Sequence, residues 1–263
     1  MPDTNITQSS SKIIWISGAS SGIGKYTALE LAKMGHEVAI SARRVEKLEA
    51  VCDQAKAKNF TGSIHPYPLD ITDRDTVFET VDQIENDLGE IDISILNAGV
   101  YEPESIEDFD LSRFDKHIDV NVKGTANTLK PLIDRYIERR RGQLVIVSSV
   151  AGYRGLGRSI SYGASKATLL HMAEDLKIEL DQYNIKTQVV TPGFVKTRLT
   201  EKNDFSMPMA ITADRAGKYL ADGIFEDAFE ISFPRKFTFW MRRLRKLPYK
   251  LFFPLVKKVT KRM

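Results

Sequence analysis

The chain has 263 residues, 42% hydrophobic and 28% charged, which suits one large α/β domain or two small ones and excludes a disordered or fibrous protein. A single cysteine, Cys52, excludes a disulfide framework within the chain and makes a cysteine-based zinc site implausible. The net charge of +3 conceals an asymmetry: Arg235 to Met263 holds eleven Lys or Arg and no acid, whereas the preceding residues hold 27 basic and 35 acidic side chains.

Along the chain, apolar β-branched runs alternate with helix-period segments. Ile13 to Ser17 predicts a strand and Gly22 to Met34 a helix, followed by a strand at Val38 to Ser41 and a charged helix from Val45 to Lys58. Ser63 to Leu69 reads as an edge or irregular strand because it contains two prolines. Asp73 opens a helix that runs to Leu88, with acids in its first turn as the helix dipole favours. Ile91 to Leu96 is the next strand. Helices follow over roughly Ser112 to Arg139, then a strand at Gln143 to Val147 and a long helix from Ser161 to Tyr183. Lys186 to Val190, Thr212 to Glu226 and Phe229 to Phe233 complete the series as strand, helix and strand. This alternation implies a doubly wound, Rossmann-type parallel sheet with helices on both faces. The expected organisation is one domain over 1–234 and a basic amphipathic extension over 235–263.

Gly18-Ala19-Ser20-Ser21-Gly22-Ile23-Gly24 lies between the first strand and the first helix. Glycines there permit a tight turn and close approach of a pyrophosphate, which the helix N-terminus then stabilises. A plain strand–helix connection would use similar residues, so the context of strand and helix carries the reading. The second strand ends in Ser41-Ala42-Arg43-Arg44, with no acid to hold ribose hydroxyls. Arg43 and Arg44 offer charge for a 2′-phosphate, which favours NADP over NAD; the bland alternative is that they start a solvated helix. Tyr162 and Lys166 stand four apart on one helical face, thirteen residues beyond Ser149 at a strand end.

With these residues assembled, the chain resembles the short-chain dehydrogenase/reductase family over about residues 12 to 233. The resemblance rests on an ordered set: the Gly18–Gly24 loop, Leu69-Asp70-Ile71-Thr72, Asn97-Ala98-Gly99, Asn121, Ser149, Tyr162 with Lys166, and Pro192-Gly193 followed by Thr197. Ser17 departs from the threonine common before the loop, a hydroxyl-for-hydroxyl change. The resemblance implies that Tyr162 is the general acid or base and that Ser149 bonds the substrate oxygen. Lys166 would hold the nicotinamide ribose and depress the Tyr162 pKa, and Asn121 would position a relay water. Gly18, Ser20, Ser21, Gly22, Ile23 and Gly24 would cradle phosphates. Asp70 and Ile71 would hold the adenine, with Asn97, Ala98, Gly99, Pro192, Gly193 and Thr197 lining the rest of the cofactor. It further implies a homodimer or homotetramer, for which Leu169, Leu170, Met172, Leu176 and Leu180 supply apolar surface. Moving a phenol from its usual value near 10 to neutrality needs about 4 kcal/mol, and a cation about 5 Å away contributes roughly 3 kcal/mol.

The segment Phe194 to Ile211, with Val195, Leu199, Phe205, Met207 and Met209, suits a lid over a hydrophobic or acyl-bearing substrate, or a loop simply pinned to the body. Tyr101, Tyr153, Arg154, Leu156 and Phe194 are expected at its mouth. His117, four before Asn121, reads as a packed or surface residue. In the extension, Phe237, Trp240, Leu244 and Leu247 recur at helical spacing among Arg242, Arg243, Arg245 and Lys246. After Pro248, Phe252, Leu255, Val256 and Val259 repeat the pattern beside Lys257, Lys258 and Lys261. Such helices suit a membrane interface, or packing onto the body or a sister subunit. No recognition motif supports nucleic-acid binding. The four histidines show no metal-ligand spacing, no long apolar run reads as a spanning helix, and the polar start lacks a secretory segment, so a cytoplasmic address and no metal are expected. The reading is an NADP(H)-dependent oxidoreductase acting on a carbonyl or secondary alcohol. The alternatives are a non-catalytic nucleotide-binding sensor and a membrane-surface interaction protein.

Overall fold

The computed structural model describes residues 11–203 and 206–260; Phe205, Lys261 and the Val259 side chain lie outside the described residues. Strands β1 (Ile13–Ser17), β2 (Glu37–Ala42), β3 (Ile64–Pro68), β4 (Ile93–Leu96), β5 (Gly142–Val147), β6 (Ile185–Pro192) and β9 (Glu230–Phe233) form one parallel sheet in the order β3-β2-β1-β4-β5-β6-β9. Two short strands, β7 (Val195–Lys196) and β8 (Ile211–Thr212), pair within the segment read as a lid. The proline-bearing β3 falls at the sheet edge, where a missing N–H is tolerated.

Helices α1 (Gly22–Lys33), α2 (Val45–Ala57) and α7 (Ala213–Gly223) cover one face. The opposite face carries α3 (Arg74–Leu88), α5 (Gly124–Arg139) and α6 (Ile160–Leu180). Alternation along β1 divides the core accordingly: Ile14 and Ile16 join Leu29, Leu31 and Leu48, while Trp15 turns to Val81, Ile84 and Leu132. The Trp15 indole N–H donates to Ser41 Oγ at 2.9 Å, so its polar edge is satisfied inside the sheet. The Asp73 carboxylate accepts from the Thr76 N–H and caps α3.

The helical stretch expected over residues 112–139 is divided. Helix α4 (Leu111–His117) passes through a π-helical segment, Ile118–Lys123, before α5. Such insertions re-aim side chains within a helix, and this one carries Asn121. On α6, Leu169, Leu170 and Leu180 are buried in the protomer's own core, while Met172 and Leu176 are partly covered and Ile178 is exposed. Two final helices, α8 (Arg235–Arg245) and α9 (Tyr249–Thr260), lie against the C-terminal end of the sheet. Their inward residues Thr238, Met241 and Phe252 are buried, and burying Met241 and Phe252 contributes roughly 2 to 3 kcal/mol each. No helix among the described residues is long and apolar enough to cross a membrane.

Connections from β1 lead toward β2 and β3, and those from β4 lead the other way toward β5 and β6. The strand order therefore reverses between β1 and β4, and the crevice for a ligand opens there at the strands' carboxyl ends.

Candidate active site

A cleft of about 1220 Å³ occupies that crevice. Every residue singled out from the sequence as a cofactor contact lines it except Gly24. Gly18 has φ +71°, and a Cβ there would lie 2.5 Å from the Ala98 Cα, so the turn and the close approach both require glycine. Gly24 sits just behind the wall, where a Cβ would strike the Asn97 amide at 2.5 Å. That amide donates to the carbonyls of Ser17 and Gly18 at 3.2 and 3.0 Å. In return Ser17 Oγ accepts from the N–H groups of Asn97 and Ala98, each at 3.2 Å. Ser17 is thus the hydroxyl that ties the glycine loop to the end of β4, as a threonine would.

At the adenine end, Asp70 Oδ1 accepts from the Thr72 N–H and hydroxyl at 3.0 and 2.8 Å. Its other oxygen lies 3.9 Å from the exposed Arg43 guanidinium. Arg43 and Arg44 both line the cleft and no acid takes the place of Ala42. The glycine cradle and these cations fit a dinucleotide: the loop and the α1 N-terminus would hold its phosphates, and Arg43 would meet a phosphate on its ribose.

Ser149 ends the β5 strand region, and its Oγ accepts from the Ala151 N–H at 3.1 Å, capping a single helical turn. Tyr162 and Ser149 line the cleft together. Desolvation by burial pushes the phenol above its ordinary value, and the nearby Ser149 hydroxyl opposes this only in part. The expected depression of Tyr162 by Lys166 is not seen in this geometry, where loss of water around the ring sets the direction of the shift. Lys166 Nζ lies 5.9 Å from the Tyr162 ring centroid and donates to the Val147 carbonyl at 2.8 Å. Burial also lowers the Lys166 pKa to about 8. Two edge-on rings flank Tyr162, Tyr101 at 4.8 Å and His117 at 6.1 Å between centroids. The fully buried His117 spends both ring nitrogens on the backbone, Nε2 toward the Glu102 N–H at 3.2 Å and Nδ1 toward the Arg113 carbonyl at 2.7 Å. It packs, as its sequence context suggested.

Asn121 is fully buried and stands behind the cleft wall. Its Oδ1 accepts from the Val100 N–H at 2.7 Å, and its Nδ2 donates to the Val100 carbonyl at 3.1 Å and to Ser165 Oγ at 2.9 Å. The side chain joins the loop after β4 to the helix that bears Tyr162 and Lys166. Tyr153 does not line the cleft: its hydroxyl pairs with Thr191 Oγ1 at 2.9 Å and with Glu230, facing the sheet. Phe194 lines the cleft and meets Phe237 of α8 at 5.3 Å. Gly193 allows that packing, since a Cβ there would lie 2.5 Å from the Phe237 ring. Sequence reasoning missed Ser148, whose Oγ donates to the Lys166 carbonyl at 2.7 Å, and missed the tail's place in the cleft wall. Cys52 is a buried thiol whose pKa burial raises. Among the described residues no cluster of His, Cys, Asp or Glu could hold a metal ion.

This crevice, with a Ser–Tyr–Lys set beside a glycine-loop cradle, defines a dinucleotide-dependent oxidoreductase. The short chain dehydrogenase profile matches residues 12–206, and the chain belongs to that family of NAD(P)-dependent enzymes. A Myxococcus xanthus protein described as an uncharacterized oxidoreductase is 37% identical over 237 residues, covering 90% of this chain and 93% of that one. The 3-oxoacyl-[acyl-carrier-protein] reductase FabG of Thermotoga maritima is 36% identical over 191 residues, 73% of this chain and 77% of its own. Among solved structures, ElxO with NADP bound superposes with a TM-score of 0.75 at 27% identity, covering 84% of this chain and 97% of that chain.

Proposed function

We propose that this protein is an NADP(H)-dependent oxidoreductase that transfers a hydride between the nicotinamide and a carbonyl or secondary alcohol on a hydrophobic or acyl-bearing substrate. The observation that carries the reading is that Ser149, Tyr162 and Lys166 line one cleft with the glycine cradle and Arg43. The NADP-bound neighbour and the relative named a 3-oxoacyl-[acyl-carrier-protein] reductase agree with it. The bound nicotinamide supplies or accepts the hydride. Ser149 Oγ holds the substrate oxygen by a hydrogen bond. In the reduction direction Tyr162 donates its phenolic proton to that oxygen as negative charge develops. Lys166 holds the ribose from the Val147 side of the cleft, and Asn121 keeps the loop and helix in register. The experiment is a screen of carbonyls and alcohols with NADPH and NADH, read by nicotinamide absorbance. Turnover of no carbonyl with either cofactor would favour a nucleotide-binding sensor instead.

The tail extends this reading to a location. One face of α8 and α9 is buried on the body, whereas Phe239, Trp240, Tyr249, Leu251 and Phe253 are exposed among basic residues with no acid nearby in sequence. That combination supports docking to the cytoplasmic face of an anionic membrane. Sedimentation with anionic liposomes should retain the full-length protein, with salt weakening but not abolishing the binding. Equal recovery in the supernatant with and without liposomes would reject it. The enzyme is further proposed to act as a homodimer or homotetramer through α5 and α6, to be checked by light scattering.

A further inference from the structure

The cleft does not end at Ser149 and Tyr162. Its wall continues onto the tail, along Trp240, Met241 and Leu244 of α8, Leu247 in the following turn, and Leu255 and Val256 of α9. The cleft, of about 1220 Å³, runs without a break from the glycine loop to this tail lining, so it reaches beyond the residues that would hold a dinucleotide. Trp240 and Leu255 line this extension yet are 64% and 45% exposed, which puts its mouth between α8 and α9. Around that mouth the same helices expose Phe239, Leu251 and Phe253 beside Lys236, Lys250 and Lys257. An apolar slot rimmed by cations complements an amphiphile at an anionic lipid surface.

We infer that the extension is an alkyl-chain channel: a chain drawn from an anionic lipid surface enters between α8 and α9, lies along Leu244, Leu247 and Val256, and presents its carbonyl to Ser149 and Tyr162. Only the carbonyl end of this inference rests on the reductase reading; the chain end stands on the shape and lining of the tail. The tail is then both the contact with the lipid surface and the wall that sets chain length.

The probe is cis-parinaric acid, a fluorescent fatty acid, titrated into the full-length protein and displaced by 2-alkanones of about four to about twelve carbons. Saturable binding should quench tryptophan emission by energy transfer, and Trp240→Phe should remove the Trp240 share of that signal, leaving that of Trp15, while displacement stays measurable by probe emission. Displacement should strengthen by roughly tenfold per two added carbons until the channel is filled. Val256→Trp should weaken the probe at least about tenfold with NADPH affinity retained. Leu255→Gln, at an exposed position where folding is insensitive, should weaken it several-fold. Displacement independent of chain length, or binding unchanged in both variants, overturns the channel. Chain binding by a protein that reduces no ketone upholds the channel and rejects the reductase reading. Reduction with kcat/KM equal from short to long ketones upholds the reductase and overturns the channel.

Discussion

The cleft is built differently at its two ends. At the glycine loop the walls are main chain: Gly18 against Ala98, and the Asn97 amide bridging the carbonyls of Ser17 and Gly18. At the tail the walls are side chains held by other side chains. The Arg242 guanidinium pairs with Glu230 at 2.9 Å, and Arg154 lies over Tyr249 and Phe252 at 4.3 and 3.9 Å. Arg154 also donates to the carbonyls of Arg245 and Leu247, closing the turn between α8 and α9. A main-chain cradle suits a cofactor of fixed shape, because backbone donors stay in place whatever the neighbouring side chains are. A side-chain wall can be altered by substitution without disturbing the cradle, which suits a variable substrate.

The sharpest break in this comparison lies between the ends, at the chemistry. Tyr162→Phe keeps the ring and its edge-on contacts while deleting the proton donor, so turnover should fall about 10²- to 10⁴-fold with thermal unfolding little changed. Steady-state rates with NADPH and a substrate found by screening measure it, and near-full activity would refute the role.

Lys166 provides the next largest effect, in stability. Its folded pKa of about 8 lies below the unfolded value of about 10.4, so between the two the unfolded chain binds more protons. The Lys166 contribution to the stability of the cofactor-free protein should therefore rise by about 2 kcal/mol between about pH 7.5 and 10, and it is read as the difference between wild type and Lys166→Met, since the buried tyrosines and Cys52 act in the opposite sense over that range. Urea titrations of both proteins across that range test the sign, and a difference that does not change with pH would contradict it.

Cofactor choice tests the main-chain end where it depends on a side chain. Arg43→Asp should weaken NADP about 10- to 100-fold while NAD is little affected or favoured, since repulsion replaces attraction at the 2′-phosphate. Fluorescence titration with both nucleotides checks this; unchanged preference would remove Arg43 from the site.

The smallest expected effect is at the tail. Arg154→Ala removes two ring contacts and two carbonyl bonds, and should cost about 1 to 2 kcal/mol while raising KM for long substrates more than it lowers kcat. Equal KM in wild type and variant would mean that the tail's position does not matter to the substrate.

The strand–helix alternation, the edge place of β3 and the glycine loop were legible in the chain order, because each depends on local periodicity or on short spacing; Ser149, Tyr162 and Lys166 were picked out by the family resemblance, since a Tyr and a Lys four apart say little by themselves. The burial of Met241 and Phe252 was not. An amphipathic helix shows that it has an apolar face but not what the face meets, and Phe239 and Trp240 left outside beside Thr238 and Met241 inside follow only from where β9 and Arg154 stand. Tyr153 was expected at the mouth of the substrate site, yet its hydroxyl faces Thr191 and Glu230, on strands distant in sequence. The direction of the Tyr162 shift likewise belonged to the tertiary structure. Charge spacing along a helix can be counted from sequence, whereas loss of water depends on every segment that closes over the ring, and here that loss sets the direction of the shift.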